Sequence, residues 1–270
     1  MMRDVGRRSN TSGGKKKIMQ TIDQLFSKSN NVFNSHIESE MKPIPKMKGS
    51  GFFPGGRGIF TNGKGPLKKS KPLNEFRYMF LGQDWSNEFE YNNIPDFEDS
   101  PFLINTDYAP NEKNNKTWIN VKKFIANLNI DTDMNIDIDD CFFTNAIMGL
   151  RPGNSSSTGK SPGWNSDKFM AECYKFFKIQ IDSIKPKIVF VMGNLTARFI
   201  YKVYGNLFSD WDNIKDVKEL FNQDKFCVSV DGVQFIFMTH PSLRPPNIKK
   251  RWKDKGDVEL AKTKTLLRIQ

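Results

Sequence analysis

The chain has 270 residues, 37% hydrophobic and 13% aromatic with 23 Phe, enough to build a substantial core in one large domain or two small ones. Three cysteines, Cys141, Cys173 and Cys227, lie far apart with no C-x-x-C pair, which argues against a disulfide scaffold, a zinc ribbon or an all-cysteine cluster; the two histidines, His36 and His240, cannot assemble a His-based metal site. The formal net charge is +11, no apolar run is long enough to span a bilayer, and no signal-type apolar segment follows Met1, so a soluble intracellular protein is expected.

The charge is unevenly placed. Residues 1–72 carry 15 Lys/Arg against 4 Asp/Glu, which accounts for the whole excess. Residues 84–140 are acidic, with 13 acids and 4 bases, whereas residues 141–270 hold 21 bases and 12 acids. A basic surface suits phosphate, because neutralised phosphates release condensed counterions, although a solvated charged surface has the same composition.

Residues 1–72 read as a disordered basic arm, holding 10 of the 19 glycines and few apolar residues in any period. Such a composition buries too little surface to offset its ordering entropy. One island, residues 19–26, places Ile22, Leu25 and Phe26 on one side of a single helical turn.

From residue 73 the pattern becomes that of a folded α/β unit. Arg77 to Leu81 predicts a short strand stopped by Gly82, Trp118 to Leu128 a helix, and Cys141 to Ile147 a second strand. Asp167 to Ile184 predicts a helix with Phe169, Cys173, Phe176, Phe177 and Ile181 on its apolar face, ended by Pro186. Lys187 to Met192 is a third strand, Leu195 to Tyr204 a helix, Val233 to Thr239 a fourth strand and Asp257 to Leu267 a terminal helix. The expectation is a three-layer α/β/α sandwich around a mostly parallel four-stranded sheet. Ligands of such sheets bind beyond the carboxyl ends of the strands.

Those strand ends carry Gly82-Gln83-Asp84, then Thr144-Asn145 with Arg151-Pro152-Gly153, then Gly193-Asn194, and finally His240-Pro241-Ser242-Leu243-Arg244. Each residue has an ordinary role when taken alone: Asp84 can cap a segment, Asn145 can tie down a turn, and His240 before Pro can be structural. A carboxylate, an amide and a histidine converging on one cleft is the more informative observation.

Leu81-Gly82-Gln83-Asp84-Trp85 resembles the Gly-Gln-Asp-Pro-Tyr-His motif of uracil-DNA glycosylases, Thr144-Asn145-Ala146-Ile147 their Asn-Ala-Val strand end, and His240-Pro241-Ser242 their His-Pro-Ser loop. Arg151-Pro152-Gly153-Asn154, Cys173 and Met192-Gly193-Asn194 resemble the iron–sulfur branches of that superfamily. The resemblance covers about residues 75–250 and implies a monofunctional glycosylase that flips a uracil out of DNA and cleaves its N-glycosidic bond with water. It assigns Asp84 and His240 to catalysis: Asp84 to the oxocarbenium-like sugar and the water, neutral His240 to uracil O2. Gln83, Asn145, Phe102 and Trp85 would bind the base, with Asn145 reading uracil N3–H and O4.

Ser242, Leu243, Arg244, Lys249, Lys250 and Arg251 are assigned to DNA, with Leu243 or Arg244 filling the gap left in the stack. Trp85-Ser86-Asn87 replaces the Pro-Tyr-His of the motif, which leaves the preference for uracil over thymine open. Cys173 lacks three companion cysteines, so no cluster and no cofactor is expected, and Cys173 reads as a small buried hydrophobe.

Met19, Ile22, Leu25 and Phe26 resemble a box that docks on sliding clamps, or form an incidental amphipathic turn. A real box would place the chain in a nucleus or at a viral replication site, and otherwise in the cytoplasm. DNA, single- or double-stranded, and a sliding clamp are the expected partners of a monomer. A DNA-binding or processivity module with little or no activity is the alternative. Residues 153–161 imitate a phosphate-binding loop, but five residues separate the glycines where four are needed. Ser242, His240 and Asp84 lack the Gly-x-Ser-x-Gly elbow of a hydrolase triad.

Overall fold

The computed structural model describes residues 72–84, 87, 116–130, 132–137, 140–156 and 159–268. Trp85, Phe102 and the segment 19–26 lie outside the described residues. Five strands form one sheet: β1 (Tyr78–Gly82), β2 (Cys141–Asn145), β3 (Ile188–Met192), β4 (Cys227–Val230) and β5 (Val233–Met238). Six α-helices accompany them among the described residues: α1 (Lys116–Asn129), α2 (Asp167–Ile184), α3 (Asn194–Tyr204), α4 (Val217–Asn222), α5 (Arg244–Trp252) and α6 (Val258–Arg268).

The strand order is β2-β1-β3-β5-β4. The four expected strands are all parallel, and their registers align Gly82 with Asn145, Leu81 with Val191, and Met192 with Met238. Their carboxyl ends therefore finish at one rim. The count of four is corrected to five by β4, an antiparallel edge strand that among the described residues pairs only with β5. The chain runs from β1 to β2 on one side and then crosses back to β3 on the other, so the rim above β1 and β3 is the switch point where α/β sheets hold ligands.

Register also explains the layers. Phe143, Phe80 and Phe190 are Cα partners across β2, β1 and β3, so their rings share a face. They stack at centroid distances of 5.2 and 4.7 Å, and Phe124 of α1 meets Phe190 edge-on at 5.6 Å. Phe235 of β5 is one residue out of phase with Ile236, the partner of Phe190. It points to the opposite layer and meets Tyr204 of α3 at 5.3 Å. Burying each such ring contributes about 1.5–3 kcal/mol, and the aromatic pairs add directionality.

The helix ends follow local chemistry. The Ser166 hydroxyl accepts from Phe169 N–H and caps α2. Lys185 leaves α2 in the left-handed conformation just before Pro186, where the helix cannot continue. Among the described residues no helix is long and apolar enough to cross a membrane.

Candidate active site

At the end of β1 the parallel pairing continues past the strands: Ala146 N–H donates to Gly82 O at 2.9 Å and Ile147 N–H to Gln83 O at 2.8 Å. Gln83 is thereby held by its backbone, while its side-chain amide donates to Gly159 O at 2.7 Å and to Asp84 Oδ2 at 3.1 Å.

Asp84 is the carboxylate of the rim, and it is paired. Arg151 reaches its Oδ2 through Nη2 at 2.7 Å and Nε at 3.0 Å, with side chains only 4% (Arg151) and 7% (Asp84) exposed. The same guanidinium donates to Ser156 O at 2.9 Å and Gly159 O at 2.8 Å. Asn87 forms a parallel bridge with Arg151 and donates from its amide to Ser155 O at 2.9 Å. The stretch that imitates a phosphate loop therefore turns carbonyls toward Arg151, and a 3₁₀ turn at Pro162–Asn165 follows it where a phosphate loop would open an α-helix. The sequence places Arg151 among the strand-end residues just after β2 but assigns it no role; the pairing with Asp84 supplies one.

Asn145 ends β2, directly beside Gly82. It is 2% exposed, and its Nδ2 has no hydrogen-bond partner among the described residues. A buried amide donor without a partner costs about 1–3 kcal/mol, a cost that an arriving acceptor would remove.

His240 follows β5, across β3 from Asp84. Its Nδ1 lies 2.8 Å from Ser242 Oγ and accepts the Ser242 N–H at 3.4 Å. A backbone N–H can only donate, so Nδ1 is the unprotonated nitrogen and Nε2 carries the proton. Burial lowers the His240 pKa from its ordinary value, which favours this neutral form. Gly193 at φ +90° permits the close approach: a Cβ there would sit 3.2 Å from His240 Cβ.

Beyond His240, Pro241–Leu243 is a 3₁₀ turn and Arg244 opens α5, with Pro245 and Pro246 tolerated in its first turn. Leu243 is 56% exposed. Arg244, expected against DNA, lies inside the protein. It is buried over the Phe124 ring at 5.0 Å, holds both Asp257 oxygens at 2.7 and 2.9 Å, and donates to Glu259 Oε2 at 3.1 Å. Arg251 likewise turns inward to Thr239 Oγ1 and Glu259 Oε1. Ser242 faces His240, and Lys249 and Lys250 remain exposed on α5.

Cys173 is buried in α2, and burial pushes its thiol up to about 12, so it stays protonated and packs as a hydrophobe. Among the described residues no group of three or more His, Cys, Asp or Glu is placed to hold a metal.

The rim therefore gathers a paired carboxylate, a buried amide donor without a partner among the described residues and a neutral histidine at three parallel strand ends. The family model described as the uracil DNA glycosylase superfamily matches residues 73–257. No curated protein matches the chain.

Proposed function

This chain belongs to the uracil DNA glycosylase superfamily, and we propose that it is a monofunctional glycosylase acting on uracil in DNA. At the level of the superfamily it is a glycosylase-type hydrolase with DNA as substrate; uracil, base flipping and the residue roles are our assignment. The observation that carries it is the buried Asn145 amide, whose Nδ2 has no partner among the described residues at the rim where Asp84 and His240 also lie. Uracil O4 would accept from that Nδ2 and N3–H would donate to the amide oxygen, whereas cytosine presents the reverse pattern.

In this mechanism cleavage puts positive charge on the deoxyribose and negative charge on the departing base. Asp84 stabilises the former and orients water, while His240 Nε2–H donates to the anionic O2. Leu243 enters the stack as the base leaves it, and Lys249 and Lys250 meet flanking phosphates. The residues expected in the base pocket, Trp85 and Phe102, keep those assignments, and the arm residues Met19, Ile22, Leu25 and Phe26 keep theirs as a clamp-docking box.

The Arg151–Asp84 pair favours a second reading, a superfamily member of weak activity that serves chiefly to bind DNA. The guanidinium offsets the field that Asp84 would exert on the sugar. An alkali-cleavage gel with uracil-containing single- and double-stranded oligonucleotides decides between them. Abasic product from the wild type, lost in Asp84→Asn by a factor on the order of 10²–10³ with DNA binding retained, is the expected result. Tight binding without product from the wild type selects the second reading.

A further inference from the structure

We propose that Glu259 is a positioning residue that sets the pose of His240 and Leu243 from outside the rim; this rests on the glycosylase reading above. His240 to Leu243 form a four-residue arch whose two feet are Thr239 and Arg244. Both feet are tied to the same carboxylate. Thr239 donates its N–H to Glu259 Oε2 at 3.3 Å and its hydroxyl to Oε1 at 3.0 Å, while Arg244 Nη1 donates to Oε2 at 3.1 Å.

Arg251, one helix length further on, donates to Glu259 Oε1 and to Thr239 Oγ1 at 2.9 Å, locking the far end of α5 to the same point. Glu259 is 1% exposed, in the first turn of α6. It lies two residues beyond the segment that matches the family.

The rest of the arch is fixed from the other side. Asn120 of α1 donates to Pro241 O at 2.8 Å, and Leu243 N–H closes the turn on His240 O at 3.0 Å. With Gly193 close behind His240 Cβ, the imidazole has little room to compensate for a shift of its feet. A donor to a developing oxyanion must be held within a fraction of an ångström. A buried ionic cluster is a weak source of net stability compared with apolar packing, but its directional bonds fix one arrangement. Four donors from three residues on one carboxylate supply that directionality.

The test uses the full chain with Glu259→Gln and, as a milder change, Thr239→Val. Because the chain has only two histidines, ring-nitrogen NMR resolves His240 directly, and a His36→Gln chain assigns it. In the wild type the His240 nitrogens should show one tautomer with the proton on Nε2. In Glu259→Gln they should move toward an average of the two tautomers. Single-turnover excision from a uracil-containing oligonucleotide should fall about tenfold or more, with DNA affinity unchanged. Thr239→Val should move both readouts the same way by less, and it decides the matter if Glu259→Gln does not fold. Unchanged His240 signals in the folded variants, with only a lower Tm, would overturn the proposal. Shifted signals in a protein whose wild type releases no uracil would uphold Glu259 and reject the glycosylase reading.

Discussion

Arg151 and Asp84 meet at 2.7 Å in a pair whose side chains are 4% and 7% exposed, although 67 positions separate them in the chain. The guanidinium joins the rim of β1 to the carbonyls of residues 156 and 159, so the pair builds the site wall as well as neutralising its charge.

Replacing Arg151 with Met removes the cation paired with the buried Asp84 carboxylate and a donor to the carbonyls of residues 156 and 159. Breaking one side of a buried pair costs about 3–5 kcal/mol, so the urea midpoint should fall well below that of the wild type. Asp84→Asn keeps an acceptor for Arg151 and should cost less. Equal midpoints for Arg151→Met and wild type would show that the pair contributes nothing to folding.

Asn145→Asp removes the Nδ2 donor that the proposed base contact needs. Uracil excision should drop by about 10²-fold or more, while cytosine, whose amino group can donate to a carboxylate, gains relative to uracil. Parallel assays on uracil- and cytosine-containing strands measure the ratio, and an unaltered ratio would count against Asn145 as the reader.

His240 has a pKa below its ordinary value because burial penalises the charged ring. The unfolded chain therefore binds a proton more readily than the folded one once the pH falls below about 6.5. The contribution of neutral His240 to stability is full above that pH and is lost as the pH falls through the lower folded value. Thermal melts of wild type and His240→Gln across this range should diverge, the wild type losing more Tm on acidification. Parallel curves would refute the linkage. Excision that depends on neutral His240 should likewise persist to a pH below the usual histidine range.

Leu243 and Arg244 are adjacent in sequence and opposite in environment, one 56% exposed and the other buried in an ion-pair cluster. Leu243→Ala should leave stability within about 0.5 kcal/mol and slow excision from duplex relative to single strands by a factor on the order of ten. Arg244→Ala should instead cost about 3–5 kcal/mol. A duplex-selective loss in Arg244→Ala without destabilisation would reverse these assignments.

Local chemistry made much of the fold legible. Helix α2 announces itself by Ser166 before it, Pro186 after it and Phe169, Cys173, Phe176 and Phe177 along one face, and it folds over the expected residues. Strand β4 is not among the expected strands, although Val230-Asp231-Gly232-Val233 is a hairpin signal: Asp231 and Gly232 both take positive φ, as a two-residue turn requires. Helix α5 was hidden by Pro245 and Pro246, which suggest a stiff loop but are harmless in a first turn.

Within the site, the strand ends could be placed because a parallel sheet aligns them. The ion pairs could not. Arg244 finds its acids 13 and 15 residues downstream, on the approach to and first turn of another helix, and no spacing rule links a cation in one helix to acids in the next. Spacing alone equally gives no hint that Arg151 would fold back on Asp84.

The hairpin of β4 and β5 also bears on how the protein behaves in a crowded solution. If the sheet ended at β5, six residues of β5 would offer open N–H and C=O groups to any extended chain that came alongside. β4 occupies that row and leaves an outer edge of only four residues. Short edges are poor templates for strand addition, so at this margin the fold resists the edge-to-edge stacking from which aggregates grow.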